Sequence, residues 1–564
     1  MYPPPQHSLS RPTGSLLFPA LLLLCSVTSM YACAPAADQT AGQGDPGAPT
    51  SSAEEMVSGF ENPLSPTGPH DLLVTGALVL DGGGGAGRIA DVLVQEGRIS
   101  WVGQVDPDTL EVAERVDAGG RVLAPGFIDA HAHWDLPEPP EFGNFLAQGV
   151  TTIVLGQDGR SPEVARLAAH LDRLDGMDLS LNTAWMVGHN TVRMESGVGF
   201  GTADEAGRRR MAALVEEGLN AGAFGLTLGL EYDPGVRSDM EELAAVAAPV
   251  AAVGGVVMSH MRNEDADQVE ASLAELLEQG RLAGVRVHAS HLKVVLGRDT
   301  LQARRMLDML AGARAGGVEA TADLYPYTAS FTGLSILFPD WARPPNDYAA
   351  VSRERRGELL AHLQARVESR NGPEATLFGT GPFAGRTLAA AAEASGQPYP
   401  EVLVELGPGG ARAAYFVMDE AVMTTFLADP FVAVSSDGGP SMAHPRGYGT
   451  FTRVLSRHTG PGGILSLEEA VRRMTGLPAS ILGLDDPGRV DVPRGRIRQG
   501  FAADLVLFDP ANLEDRADFE SPHTTALGMD MVWVAGEPVW EEGAPVPGAV
   551  SGRVIRRMGG GADR

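Results

Sequence analysis

The chain has 564 residues, 43 of them Lys or Arg against 72 Asp or Glu, which gives a formal charge of −29. That length allows one large α/β-barrel domain with a satellite, or several smaller domains with a sizeable core, and the scattered acidity leaves no basic patch to follow a phosphate backbone, so nucleic acid is excluded as a partner. Glycine (70) and proline (40) are abundant, yet 44% hydrophobic content without a collagen-like period keeps the chain globular. Of the 43 basic residues only Lys293 is a lysine. Biased coding explains the many arginines, and the neighbourhood of Lys293 must explain the exception.

The N-terminal stretch reads as an export leader: Arg11, an apolar run from Leu16 to Val27 broken by Pro19 and Ser26, then Met30-Tyr31-Ala32-Cys33-Ala34. About 12 apolar residues are too few to span a bilayer and suit a signal sequence. Cys33 after a small residue favours a lipobox, while Ala32-Cys33-Ala34 also satisfies ordinary signal peptidase. An exported protein is expected, periplasmic or held at the membrane only through a lipid on Cys33. Cys25 and Cys33 are the only cysteines, so residues after the 1–33 leader hold neither a disulfide nor a thiolate metal site. Residues 34–70, rich in Ala, Gly, Pro, Ser and Thr, are expected to form a flexible tether.

From Asp71 the chain alternates as short strands separated by glycines, up to residue 126, and the same texture returns over 484–564. The two ends are expected to build one small β-sandwich. Between them, over 127–483, β-rich runs alternate with Ala/Leu/Glu/Arg helical stretches, the pattern of repeated βα units. Eight strands are predicted: Phe127 to Trp134, Thr151 to Gly156, Leu179 to Gly188, Ala223 to Leu230, Gly255 to Met261, Val285 to Leu292, Glu319 to Tyr327 and Phe431 to Asp437. Eight units argue for a closed (β/α)8 barrel of the TIM type. The long gap before the eighth strand marks an insertion over 337–428, with a helical stretch from Arg353 to Ser369, leaving the end of the barrel where lids are placed.

Ionisable residues collect at the C-terminal ends of these strands, where barrel enzymes place their sites. Strand one ends in His131-Ala132-His133, whose two imidazoles share one face at period two. Strand five ends in Ser259-His260-Met261-Arg262, strand six in Ser290-His291-Leu292-Lys293 and strand eight in Ser435-Ser436-Asp437-Gly438. Four His and one Asp at one barrel mouth make a site for one or two divalent ions, with Zn²⁺ as the first choice. His288, three residues before His291, is expected on the opposite strand face, packed against helices.

These residues resemble a known family. Pro125-Gly126-Phe127-Ile128-Asp129-Ala130-His131-Ala132-His133 is similar to the opening metal motif of the amidohydrolase superfamily. Gly188-His189-Asn190-Thr191-Val192-Arg193, Gly229-Leu230-Glu231-Tyr232-Asp233-Pro234-Gly235, Ser259-His260-Met261-Arg262-Asn263-Glu264, Ser290-His291-Leu292-Lys293 and Ser436-Asp437-Gly438 with His444-Pro445-Arg446 resemble its N-acyl-D-amino-acid deacylase (D-aminoacylase) branch. The resemblance covers roughly Asp71 to Arg556. It implies a distorted (β/α)8 barrel with a β-sandwich made from both ends, and a zinc-dependent amide hydrolase.

The branch commonly bridges its metals with a Cys after strand two, where this chain has Gly156-Gln157-Asp158-Gly159. A carboxylated lysine after strand four, used elsewhere in the superfamily, is equally ruled out because Lys293 follows strand six. A bridging carboxylate is then Glu231 or Asp158, with strand four, the superfamily's usual origin of the bridge, favouring Glu231. Asp437, beside the metal, is the expected catalytic base and proton carrier. Lys293 is expected to hold a substrate carboxylate, with Arg446, Tyr232 and Tyr325 as further substrate contacts. The expected reaction is hydrolysis of a small N-acyl-D-amino acid to carboxylate and free amino acid. A dipeptidase or cyclic-amide hydrolase on the same scaffold, and a non-catalytic binding lipoprotein, are the alternatives.

Overall fold

The computed structural model describes residues 66, 68–134 and 142–559. The leader and tether expected over 1–70 fall almost wholly outside them. Strands β1 (Pro69–Val79), β2 (Arg88–Gln95), β3 (Arg98–Gly103), β4 (Glu111–Asp117) and β5 (Val122–Pro125) open the described chain. The barrel strands follow: β6 (Phe127–Asp129), β7 (Val150–Leu155), β8 (Asn182–Trp185), β9 (Val187–Gly188), β10 (Gly225–Gly229), β11 (Val256–His260), β12 (Arg286–Ala289) and β13 (Ala320–Leu324). Then come β14 (Ser330–Gly333), β15 (Thr376–Phe378) and β16 (Arg412–Tyr415), the last barrel strand β17 (Val432–Val434), and β18 (Leu505–Phe508), β19 (Met529–Val534), β20 (Glu537–Glu541) and β21 (Ala544–Pro545).

The barrel strands are buried along almost their whole length, as parallel strands covered by helices must be. β6-β7-β8 form one parallel run and β9-β10-β11-β12-β13-β17 the other. β8 and β9 are one strand interrupted at Met186, whose N–H still donates to Leu155 O. At the other seam Ala132 bridges Gly438, with His133 N to Gly438 O at 2.7 Å and Asp437 N to His131 O at 2.8 Å. The ring of eight is thereby continuous, and the second seam passes through three of the candidate ligands, His131, His133 and Asp437. Helices such as Glu205–Asn220 and Met240–Ala252, each capped by an aspartate accepting from a first-turn N–H, pack outside.

Both chain ends enter one nine-stranded sheet, in which β5 pairs antiparallel with β18 (Leu123 opposite Leu507). One face closes over Val74, Val92, Leu123, Leu505 and Trp533, while Val122, Ala124, Val506 and Phe508 join the barrel's outer core. The last described residues leave this sheet and bond along the barrel instead, Ile555 N to Thr183 O at 2.7 Å.

The insertion has its own core, running from Leu334 to Val417 around Leu359, Leu363 and Tyr415. It is wider at its start than expected, because β14 already belongs to its three-stranded sheet. It also ends earlier, since the helix Glu420–Leu427 buries Val422, Phe426 and Leu427 in the barrel. Helical periodicity alone does not tell a lid helix from a barrel helix.

Candidate metal centre

β7 ends at Leu155 and the chain turns through Gly156-Gln157-Asp158-Gly159. Gly156 and Gly159 have φ of 84° and 76°, and a Cβ on them would come within 2.3 Å of Met186 O and 2.6 Å of the Asn190 side chain. Only glycine fits at both corners. Asp158 between them also has a positive φ, 53°, as do His291 (39°) and Asp437 (46°). Left-handed backbone is uncommon outside glycine and concentrates at functional sites. Each of the three stands just past the end of a barrel strand, and their side chains meet at the barrel mouth.

Asp158 is the centre of that meeting. Its Oδ1 lies 3.4 Å from His131 Nε2, 3.3 Å from His291 Nε2 and 3.8 Å from His260 Nδ1, and its Oδ2 lies 3.6 Å from His133 Nε2. Asp437 Oδ1 is 3.0 Å from His133 Nε2 and 3.7 Å from His131 Nε2. His260 Nδ1 and His291 Nε2 face one another at 2.9 Å. Three donor sets result among the described residues: His131, His133, Asp158 and Asp437 on one side, Asp158, His260 and His291 on the other, with Asp158 common to both, and a third of Glu231, His260 and Glu264 that shares only His260. Glu231 stands outside this overlap. It approaches His260 from the far ring nitrogen, Oε2 to Nε2 at 3.0 Å.

The charges suit a cation. Burial raises the cost of ionising Asp158 and Asp437, but His131 and His291 beside the first, and Arg446 and His291 beside the second, hold both carboxyls well below the usual range. His291 is pushed up to about 10: burial and Lys293 oppose its charge, and Asp437, Glu264 and Asp158 outweigh them. His131 is lowered, chiefly by burial, with Asp158 and Asp437 opposing the shift. Its ring is fully buried and neither nitrogen makes a hydrogen bond. A buried imidazole is left so only where something else takes its lone pair, and a nitrogen-and-oxygen donor set of this kind fits a borderline divalent ion such as zinc.

A carboxylate stands behind each histidine of the second set. Glu231 holds His260, and Glu264 Oε1 lies 3.2 Å from His291 Nδ1 while accepting from Lys293 Nζ at 2.7 Å. Such outer carboxylates fix ring orientation and raise ligand basicity. Lys293 is 3% exposed. Its ammonium lies 5.9 Å from the Tyr325 ring centroid, and the Arg446 guanidinium lies over the same ring at 4.6 Å. Arg446 also meets Asp437 Oδ2 at 2.9 Å. Tyr325 offers its ring, with its hydroxyl directed to Met418 Sδ at 3.9 Å. Tyr232 packs on His260 at 4.5 Å and bonds Thr332 of the insertion at 3.1 Å. Apart from Met418, these side chains line one cavity of about 640 Å³ between barrel mouth and insertion.

His288 does not face the helices. It pairs in register with the inward Met258, and its Nε2 lies 2.9 Å from Asp323 Oδ2 inside the barrel. Strand alternation fails here because β12 ends at Ala289 and His291 has left-handed backbone. The same Asp323 accepts from His291 N at 2.5 Å, so the pair supports the loop that carries the ligand. Asp323, Glu264 and Asp129 carry no signal of their own in the sequence, although Glu264 and Asp129 lie within the stretches that carry the family resemblance. Asp129 takes Ser436 N at 2.9 Å and the Ser436 hydroxyl, joining the first and eighth strands beneath the site.

A model of the amidohydrolase family matches residues 358–540. The N-acyl-D-aspartate deacylase of Alcaligenes xylosoxydans xylosoxydans is 35% identical over 510 residues, covering 85% of this chain and 94% of that protein. A D-aminoacylase from the same organism is 35% identical over 517 residues, covering 87% and 98%. Among solved structures, the N-acyl-D-glutamate deacylase of Bordetella bronchiseptica, complexed with zinc and a phosphonate inhibitor, superposes with a TM-score of 0.75 at 31% identity, covering 87% of this chain and all of that one. With this similarity along nearly the whole length, the chain belongs to the N-acyl-D-amino-acid deacylase family of the amidohydrolase superfamily.

Proposed function

We propose that this protein is a zinc-dependent hydrolase that cleaves the amide bond of N-acyl-D-amino acids to a carboxylate and a free amino acid. The observation that carries the reading is the pair of donor sets sharing Asp158, at the mouth of a barrel whose relatives are deacylases. His131, His133 and Asp437 would hold one ion, His260 and His291 the other, and Asp158 both. This assignment prefers Asp158 to Glu231 as the bridge, because among the described carboxylates Asp158 alone lies within 4 Å of all four histidines. Zinc bound there supplies Lewis acidity, polarising the amide carbonyl and making water a nucleophile near neutral pH.

The chain's own residues carry the rest. Asp437 accepts the proton of the attacking water and returns it to the nitrogen of the leaving amine, without which the amine leaves poorly. Its pairing with Arg446 keeps it ionised. Lys293 and Arg446, stacked on Tyr325, receive the substrate α-carboxylate. Glu231 and Glu264 orient His260 and His291, and Tyr232 fastens the insertion over the cavity through Thr332.

The test is acetate release from N-acetyl-D- and N-acetyl-L-amino acids by protein reloaded with zinc, alongside elemental analysis. Turnover of D substrates with one or two ions per chain supports the reading. Inactivity towards both series sinks it; activity confined to dipeptides or cyclic amides moves the chain to another reaction on this scaffold, and a metal-free protein makes it a binding protein. We further propose export with lipid attached at Cys33, on the strength of the leader composition; Cys33→Ser should abolish incorporation of labelled palmitate, and unaltered labelling would refute it.

A further inference from the structure

Among the described residues the cavity is lined by five cations, Arg160, Lys293, Arg370, Arg412 and Arg446, and by as many carboxylates. In a chain of charge −29 these lining carboxylates and cations balance one another in number, and two divalent ions would tip the cavity towards positive. Three of the cations are committed within the protein: Lys293 to Glu264 at 2.7 Å, Arg446 to Asp437 at 2.9 Å and Arg370 to Asp265 at 2.9 Å. Arg160 and Arg412 form no ion pair among the described residues.

Arg412 stands on the same wall as the α-carboxylate anchors. Lys293 and Arg446 share the Tyr325 ring, Arg446 Nη2 donates to Phe331 O at 3.4 Å, and the Arg412 guanidinium lies 5.3 Å from the Phe331 ring centroid. The three cations thus follow one another along two aromatic rings, from the buried floor to the exposed rim. The backbone under Arg412 is fixed: it pairs with Gly333 of β14, its N–H donates to Thr380 Oγ1 at 2.8 Å, and its carbonyl accepts from Gly379 N at 2.8 Å. An unpaired guanidinium on a rigid strand, one step out from a carboxylate subsite, is placed to form a forked pair with a second carboxylate.

We propose that Arg412 is a specificity-determining residue that selects substrates whose side chain ends in a carboxylate, so that the preferred class is N-acyl derivatives of dicarboxylic amino acids. The inference rests on the hydrolase reading above and adds the side-chain preference to it. The substrate's α-carboxylate engages Lys293 and Arg446, and its side-chain carboxylate reaches Arg412. Field focusing in a cavity made positive by its ions favours the dianion in the same direction.

The experiment compares kcat/KM for N-acetyl-D-glutamate and N-acetyl-D-glutamine, which differ in charge and hardly in size. The wild type should prefer the glutamate derivative by at least about tenfold, through KM, and the preference should shrink as salt rises. Arg412→Met should bring the ratio close to one, Arg412→Lys should keep part of it, and Arg412→Glu should invert it. A wild-type ratio near one, or a ratio that Arg412→Met leaves standing, overturns the inference while leaving the hydrolase reading intact. An equal fall in kcat for both substrates would make Arg412 structural and also overturns it. Failure to hydrolyse any N-acyl amino acid overturns the hydrolase reading, and this inference with it. If Arg412→Met misfolds, the wild type and the conservative variant still decide: a wild-type ratio near one, or a ratio that Arg412→Lys leaves unaltered, overturns the inference.

Discussion

The two halves of the donor cluster are secured by different means. His131, His133 and Asp437 sit on a backbone seam, where Ala132 bridges Gly438 and main-chain bonds run from Asp437 to His131 and from His133 to Gly438. His260 and His291 depend on side chains: Glu231 and Glu264 stand behind their rings, and Asp323 holds the His291 N–H. The first half is set by sheet geometry, which survives the loss of one supporting side chain. The second is set by outer carboxylates, and each of those can be removed by a single substitution. Asp158 belongs to both.

The largest effect is expected from the shared donor. Asp158→Asn should lose at least one equivalent of zinc on dialysis and drop kcat/KM by about 10³-fold or more, read by elemental analysis and steady-state kinetics; a variant keeping both ions would remove Asp158 from the bridge. Asp437→Asn should retain the fold and at least one ion, with kcat lower by roughly 10²- to 10⁴-fold, and wild-type turnover would exclude it as the proton carrier.

The comparison between the halves is tested by one support from each. Glu231→Gln should weaken zinc binding by about 10- to 100-fold in a chelator competition. Ser436→Ala should weaken it by less than about threefold, because Ser436 N–H still donates to Asp129 and the seam bonds remain. Equal losses would show that the halves are held alike. The smallest change is expected for Lys293→Arg, an increase in KM of about tenfold with zinc retained; an unaltered KM would return the single lysine to coding bias.

Much of the site is legible in the sequence because strand ends announce themselves. His-x-His after Phe127-Ile128-Asp129, and His260, His291 and Asp437 after three further apolar runs, need only the rule that barrel sites collect at C-terminal strand ends. The choice of bridge is different. Sequence position favours Glu231, yet what matters is the ring nitrogen from which a carboxylate approaches, and that depends on the left-handed backbone at Asp158 and His291. His288 is misjudged for the same reason, since alternation holds only while the strand lasts. The bounds of the insertion are blurred because Glu420–Leu427 and Arg356–Ser369 are both amphipathic, and only contact with one core or the other separates them.

The lysine among 43 basic residues shows where the division falls. Sequence determines that Lys293 lies two residues past a histidine at a strand end, that the described chain carries no cysteine to bridge metals, and that eight βα units surround the site, because these follow from residue order and local periodicity. Tertiary structure decides that Lys293 is buried against Glu264 and Tyr325, that Asp158 rather than Glu231 lies between the histidines, and that Arg412 of the insertion stands at the rim with no ion pair among the described residues. Those placements come from separate strands and loops meeting at one barrel mouth, 29 residues apart for Lys293 and Glu264 and 133 for His291 and Asp158, and no local pattern encodes the distances between them.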